Sequence, residues 1–362
     1  MQVFFNSRFL TQSVTGVQRY AMELIKALDK LIDVGEIDRG KFSFVLIGPK
    51  NTKHDPDLKH IPLRRVGRLR GHLWEQLELP LYSRNSLLVS LCNAAPLFKH
   101  SQVVTIHDAS VFATPQTYPW AFRTWYRVLL RGICKSASRI ITVSDFSRSE
   151  LVRYCNVDVK KVRVVYSGKE HILDVPADES VIKKHDLGKK PFILAVSSVT
   201  PNKNFRSIVR AVELLGDDGF DVAIAGGVNP RVFTRSNLSL PDTVKHLGYV
   251  SDAELRALYQ HAACFIFPSF YEGFGLPPLE AMACGCPVIV SNAASLPEVC
   301  GDAVLYCDPY SPEDIAAKIT LLMGDEALRN GLRHKGLARA REFSWERTAR
   351  LTLQAYHEAL AR

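Results

Sequence analysis

Apolar positions along this chain fall into two alternating patterns. Short runs that are apolar almost throughout, VFFNSRF, FSFVLIG, SLLVSLC, QVVTIHD and ASRIITVS, punctuate the first half. PFILAVSS, FDVAIAGG, VKHLGYV, CFIFPS and PVIVSN do the same in the second. Between them lie stretches with apolar residues every three or four positions, as in GVQRYAMELIKALDKLI, the segment around Trp120–Cys134, FRSIVRAVELL, DAELRALYQHA and LEAMA. The continuous runs predict strands buried on both faces, hence parallel sheets covered by the periodic segments as helices. Two such series predict an α/β protein of two doubly wound domains. The polar, strand-poor stretch Val165–Ser180 separates them, giving an N-terminal domain 1–172 and a C-terminal domain 173–345. The last segment, FSWERTARLTLQAYHEAL, predicts an amphipathic helix with Ser344 as N-cap, and 346–362 is expected to pack back on the N-terminal domain. Ligands of open α/β sheets bind beyond the carboxyl ends of the strands, so a central cleft between two facing domains is the expected site.

Composition narrows the class. At 362 residues each domain can bury its own core, and no apolar run reaches the length of a membrane span. The N-terminus MQVFFNSRFL reads as a strand rather than a signal peptide. The 8 cysteines form no C-x-x-C pair and no zinc-ligand spacing, so no metal is expected and the cytoplasm is the expected address. Charge is uneven: 26 Lys and Arg against 15 Asp and Glu through Asp174, then 20 against 22. A first half at +11 beside a second at −2 suggests an anionic partner for the first, and nucleic acid or an anionic membrane surface both fit on charge alone. Two stretches concentrate the feature. PLRRVGRLRGHLWEQ carries Arg64, Arg65, Arg68, Arg70 and Trp74; the segment from Tyr118 to Arg139 carries Trp120, Phe122, Arg123, Trp125, Tyr126, Arg127 and Arg131. Such stretches either lie on an anionic bilayer or put their aromatics in the core and leave the arginines solvated. Helix-turn-helix, RNA-recognition and zinc-finger signatures are missing, which argues against nucleic acid.

The chemistry concentrates at YEGFGLPPLEAMACGCPVIVSN, Tyr271 to Asn292. Gly273 and Gly275 allow a sharp turn and close approach of a ligand. LPPLEAMA reads as a helix start, whose free amides suit a diphosphate. Glu280 inside that helix can accept two hydrogen bonds from a vicinal diol such as ribose, and Glu272 on the loop lies next to whatever hangs beyond the phosphates. Lys203, in VSSVTPNKNF, falls at another strand-to-helix turn, where an ammonium can meet a pyrophosphate. Gly16 precedes the first long helix, and His107 with Asp108 ends the strand VVTIHD. Each taken alone has an ordinary structural reading: surface acids, a solvated lysine, a turn glycine, a histidine satisfied by backbone.

Together these segments resemble the retaining glycosyltransferases of family four. The Glu272–Glu280 spacing is similar to that family's E-x7-E signature, and TPNKNF to its G-R-L-x-P-x-K region. TGVQRY is similar to T-G-I-G-R-Y, HD to the H-D element, and SDFS, from Ser144, to V-S-x-F-S. Two positions depart: Ser198 stands where the family has its diphosphate-binding arginine, and Gln18 where it has a second glycine. The P-N-K-N variant is found among mannosyl- and rhamnosyltransferases of bacterial surface polysaccharides. The resemblance covers nearly the whole chain and implies the GT-B architecture, two doubly wound Rossmann-like domains facing a central cleft. It implies metal-independent transfer of a hexose from a nucleotide-diphosphate sugar, GDP-mannose favoured, to a hydroxyl of a glycan or lipid-linked acceptor, with retention and without a separate cofactor. It further implies Glu280 on ribose, Lys203 on the diphosphate, Glu272 with Gly273, Phe274 and Gly275 on the donor sugar, and Gly16 and His107 closing the site from the first domain. Asp108 reads as structural or as an acceptor contact, and Ser144 as an N-cap. No covalent nucleophile is implied; positioning and charge stabilisation would carry catalysis, with His107, Glu272 and Lys203 as its side chains. A nucleotide-sugar epimerase on the same fold and a basic nucleic-acid-binding protein are the alternatives. Contact with the inner face of the cytoplasmic membrane follows if the acceptor is lipid-linked.

Overall fold

A computed structural model describes residues 2–196, 200–216, 219–226 and 244–360. The chain forms two compact units, Met1–Gly168 with Ser344–Arg362, and Lys169–Phe343. Among the described residues the first unit has seven parallel strands: β1 (Gln2–Asn6), β2 (Ser43–Gly48), β3 (Leu63–Arg65), β4 (Leu87–Ser90), β5 (Gln102–Thr105), β6 (Arg139–Thr142) and β7 (Val162–Val164), in the order β3-β2-β1-β4-β5-β6-β7. The second has six: β8 (Phe192–Val196), β9 (Asp221–Ala225), β10 (Val244–Gly248), β11 (Cys264–Phe267), β12 (Val288–Ser291) and β13 (Leu305–Cys307), in the order β10-β9-β8-β11-β12-β13. Both orders are doubly wound. They reverse beside the first strand of each unit, β1 against β4 and β8 against β11, which makes a crevice at the carboxyl ends.

Strands β3, β7 and β13 were hidden in the hydrophobic pattern. Each is three residues long, lies at a sheet edge and is partly exposed, so none has the doubly buried signature. Arg64 and Arg65 lie on edge strand β3, where charge discourages pairing with another chain.

The first unit's long helix, Gly16–Asp33, buries Tyr20, Ala21, Leu24, Ile25, Leu28, Leu31 and Ile32, one stripe at helical spacing. The final helix, Trp345–Leu360, packs against it: Trp345 meets Tyr20 with ring centroids 5.7 Å apart, and Tyr356 meets Phe5 on β1 at 6.2 Å. Ser344 accepts from the Arg347 amide at 3.1 Å, an N-cap bond, and the Thr348 hydroxyl donates to the Tyr166 carbonyl at 2.7 Å. Gly168 permits this approach, because a Cβ there would lie 2.1 Å from the Trp345 nitrogen. Residues 169–172 lie with the second unit, held through the short helix Glu170–Leu173, whose Leu173 carbonyl accepts from Arg256 at 2.6 Å. Trp74 is fully buried with Phe4, Val45 and Leu88, and its indole donates to the Val66 carbonyl at 2.9 Å. It is a core residue of the first unit and offers no surface to a bilayer.

Candidate active site

In the second unit two strand-to-helix turns converge. After β8 the chain makes a 3-10 turn, Pro201–Lys203, and enters the helix Phe205–Leu215 through Asn204 in a left-handed conformation (φ 55°). The Asn204 amide is buried and donates to the carbonyls of Pro268 (3.0 Å) and Pro309 (2.6 Å), which ties this turn to the loops after β11 and β13. The Phe270 amide returns a bond to the Asn202 carbonyl at 2.8 Å. The Asn204 side chain and the Asn202 backbone therefore fasten the turn of Lys203 to the acidic loop.

That fastening brings Lys203 to Glu272, Nζ to Oε1 at 2.6 Å, although 69 residues separate them. The ammonium also lies 5.1 Å from the Phe267 ring centroid, on its face, and the Ser269 hydroxyl donates to the same carboxylate oxygen at 2.6 Å. The Ser295 hydroxyl holds the Glu272 carbonyl at 3.0 Å. The loop then turns at Gly275, whose φ of +99° and whose missing Cβ, which would sit 2.6 Å from Leu296 Cδ2, both require glycine. The helix Leu276–Ala283 starts there with prolines in its first turn, where an amide hydrogen has no intrahelical use. Phe274 is buried and packs edge-on against Phe343, centroids 5.9 Å apart.

Glu280, one turn into that helix, is buried and already partnered. His171 Nε2 lies 2.7 Å from Oε1, and the Tyr259 hydroxyl donates to Oε2 at 3.2 Å. Burial, then the Glu280 charge, raises the Tyr259 pKa well above the ordinary tyrosine value, so the phenol keeps the proton it donates. One donor on each oxygen fixes the carboxylate plane and leaves further lone pairs on both, since a carboxylate has about four acceptor positions. Neither His171 nor Tyr259 was found from the sequence. They stand 109 and 21 residues from Glu280 on other elements, and no local motif marks them. Ser198 lies outside the described residues.

In the first unit, Gly16 opens the long helix, and a Cβ there would meet nothing within 4 Å. Gln18, in place of the family's second glycine, reaches back so that its side-chain carbonyl accepts from the Thr15 amide at 3.2 Å. A pocket of about 80 Å³ opens beside this turn, lined by Leu10, Gln12, Val14, Gln18, Met22 and His54 among others. His107 follows β5 and is buried. Its amide donates to Asn93 Oδ1 at 2.7 Å, and Nε2 lies 2.9 Å from the Leu91 carbonyl. A carbonyl only accepts, so Nε2 carries the hydrogen and Nδ1 the lone pair of the neutral ring; burial lowers the pKa and keeps it neutral. His107 thus has the backbone partner of its ordinary structural reading, with one nitrogen left over. Asp108 accepts from the Ser110 amide at 2.8 Å, a turn bond, and Ser144 caps its helix by accepting from the Ser147 amide at 3.0 Å. Among the described residues, no group of three or more His, Cys, Asp or Glu side chains could hold a metal ion. No described helix is long and apolar enough to cross a membrane.

Comparison with known proteins decides the family. A model described as Glycosyltransferase Family 4 matches residues 14–170, and one described as Glycosyl transferases group 1 matches 178–339. O-antigen chain mannosyltransferase B of Escherichia coli is 32% identical, with 98% of this chain and 99% of that protein covered. This chain belongs to the family 4 glycosyltransferases. Another relative of this glycosyltransferase is the O-antigen chain mannosyltransferase RfbU of Salmonella typhimurium, 27% identical over 83% of this chain and 85% of that protein. Its fold is similar to that of sucrose-phosphate synthase from Thermosynechococcus elongatus, with a TM-score of 0.77, 20% identity and 99% of both chains covered. The fold is GT-B, with two Rossmann-like units.

Proposed function

We propose that this glycosyltransferase moves mannose from GDP-mannose to a hydroxyl of a glycan or lipid-linked acceptor in bacterial surface polysaccharide synthesis. Anomeric configuration would be retained, and no metal would be bound. The observation that carries the reading is the Lys203–Glu272 pair at the carboxyl ends of β8 and β11, beside the helix that holds Glu280. Glu280 then takes the ribose diol, with His171 and Tyr259 fixing its plane. Lys203 leaves Glu272 for the diphosphate when the donor enters, and the freed Glu272 turns to the sugar with the backbone of Gly273, Phe274 and Gly275. An ammonium that exchanges one anionic partner for another keeps its charge compensated at each stage. Gly16 and His107 Nδ1 contribute from the first unit, which takes the acceptor. The mannosyltransferase relatives favour the sugar, as does the P-N-K-N segment.

A peripheral contact with an anionic membrane is part of this reading. It is favoured by exposed Leu73, Leu77, Leu81, Trp120 and Trp125 on helices of the first unit, with Arg64, Arg68, Arg70 and Arg123 nearby in sequence, and Trp74 takes no part. Sedimentation with anionic and neutral vesicles tests it, since equal recovery with both would remove the membrane from the proposal.

The deciding experiment combines a screen of nucleotide sugars with calorimetry of GDP. Mannose should transfer from GDP-mannose with chelator present, and the product should keep the donor's anomeric configuration. Glu280→Ala and Lys203→Ala should each weaken GDP at least tenfold, since a hydrogen bond to a charged group is worth ~1.5–3 kcal/mol. Unchanged GDP affinity in both folded variants would sink the donor-site assignment. An epimerised nucleotide sugar formed without acceptor would replace transfer by epimerisation.

A further inference from the structure

A second polar cluster lies at the carboxyl end of the first unit's sheet, whereas Lys203, Glu272 and Glu280 belong to the second unit. Asn6 and Ser90 end β1 and β4, the paired strands at which the sheet order reverses. The Asn6 amide donates to Ser90 Oγ at 3.3 Å and to Glu75 Oε1 at 2.7 Å. Glu75 is 1% exposed and sits on a π-helical turn, Trp74–Glu78, a wider coil that recurs at functional sites. Its other oxygen, Oε2, lies 3.1 Å from His72 Nδ1, and the Tyr126 hydroxyl lies 3.5 Å from His72 Nε2. Arg8 follows β1 and completes the cluster, Nε to Glu75 Oε1 at 3.0 Å.

The geometry of that last contact matters. Arg8 meets Glu75 through Nε alone, not through two parallel bonds, so one oxygen holds one of its five N–H groups. The Tyr126 phenol and the Cys92 thiol are further polar groups close to the guanidinium. Arg8 supplies none of the buried polar atoms that lack a partner, so the N–H groups left over meet solvent through the 9% of the side chain that is exposed. The arrangement is a guanidinium braced from one side, with its terminal fork available. Such a fork matches two oxygens of a phosphoryl group, and a brace that fixes its plane lowers the entropy lost on binding. A buried ion pair adds little to stability over an apolar substitute, so stability alone gives little reason for this one. The rings of His72, Trp125 and Tyr126 adjoin, with centroids 5.9 and 5.7 Å from His72.

We propose that Arg8 is an anion-binding residue of the first unit that takes a phosphoryl group, with Glu75 as its positioning residue. The phosphoryl belongs either to a non-nucleotide diphosphate such as an acceptor would carry or to the nucleotide, and the test separates the two. Calorimetry of the full-length protein would use inorganic pyrophosphate, farnesyl diphosphate and GDP, with wild type, Arg8→Gln, Arg8→Lys and Lys203→Ala. Pyrophosphate and farnesyl diphosphate should weaken at least tenfold in Arg8→Gln and clearly in Arg8→Lys, which keeps the charge without the fork. Both should still bind Lys203→Ala, while GDP follows Lys203. If GDP instead weakens with Arg8 and farnesyl diphosphate does not bind, the site stands and its phosphoryl is the nucleotide's. Should the Arg8 variants not fold, phenylglyoxal labelling of the wild type replaces them, and pyrophosphate should slow the adduct at Arg8. Diphosphate affinities unchanged in a folded Arg8 variant, or an unprotected Arg8, would overturn the proposal. A failure of the donor reading would look different, as GDP affinity indifferent to Lys203→Ala.

Discussion

Two lysine- or arginine-to-glutamate pairs stand at the carboxyl ends of the two sheets, and they are built in opposite ways. Lys203–Glu272 joins two loops, with side chains 23% and 12% exposed. Arg8–Glu75 joins a turn to the inside of a helix, with side chains 9% and 1% exposed, and Glu75 has Asn6 and His72 as further partners. The lysine is a point charge on a flexible stem; the arginine is a rigid fork held by one edge. A wetter pair on loops can exchange partners when an anion arrives. A dry pair inside a network is fixed, and only the unbraced edge of its cation can serve a ligand. The same ion-pair chemistry thus gives one pair free to exchange partners and one that is set by the fold.

The comparison can be broken most sharply by removing each glutamate. Glu75→Ala leaves Arg8 buried without its counter-charge and should cost ~3–5 kcal/mol of stability, as broken buried pairs do. Glu272→Ala should cost only about 1 kcal/mol, since Lys203 can turn to water. The same variant should lower turnover by roughly 10²-fold, the loss typical of a removed transition-state contact. Denaturant titrations and rates on both proteins check this; equal losses of stability would erase the distinction.

Glycines sharpen it at smaller scale. Gly275→Ala meets Leu296 at a positive φ and should destabilise by ~1–3 kcal/mol. Gly16→Ala enters open space at a helix start, and its melting temperature should barely move. If a donor phosphate approaches that backbone, activity of Gly16→Ala should still fall at least tenfold; full activity would make Gly16 an ordinary helix start.

The smallest effect is a pH dependence from His107. Burial lowers its pKa, so below about pH 6.5 the unfolded chain binds a proton that the folded one refuses. Its contribution to stability is therefore complete above pH 6.5 and is lost as pH falls toward the lowered folded value. His107→Gln should flatten the stability profile over that window, by denaturant titration from pH 7 downward. An unchanged slope would mean that the ring charges freely in the folded protein.

The sequence alone carried the long strands and helices, because doubly buried strands and one-sided helices impose continuous and 3.6-residue patterns that can be read locally. It carried the Glu272–Gly275–Glu280 turn for the same reason: strand, glycine and helix start are contiguous in the chain. Edge strands β3, β7 and β13 escaped, since an edge relaxes the demand for apolar residues. Trp74 was placed beside arginines by its neighbours in sequence, and packing put it in the core. Only the tertiary structure brought Lys203 against Glu272, His171 and Tyr259 onto Glu280, and Arg8, Asn6 and His72 around Glu75. Those partners lie on different elements, and their meeting depends on strand order and on which helix covers which sheet. Sequence fixes a residue's type and its local backbone; what neutralises a buried charge is settled when the layers pack.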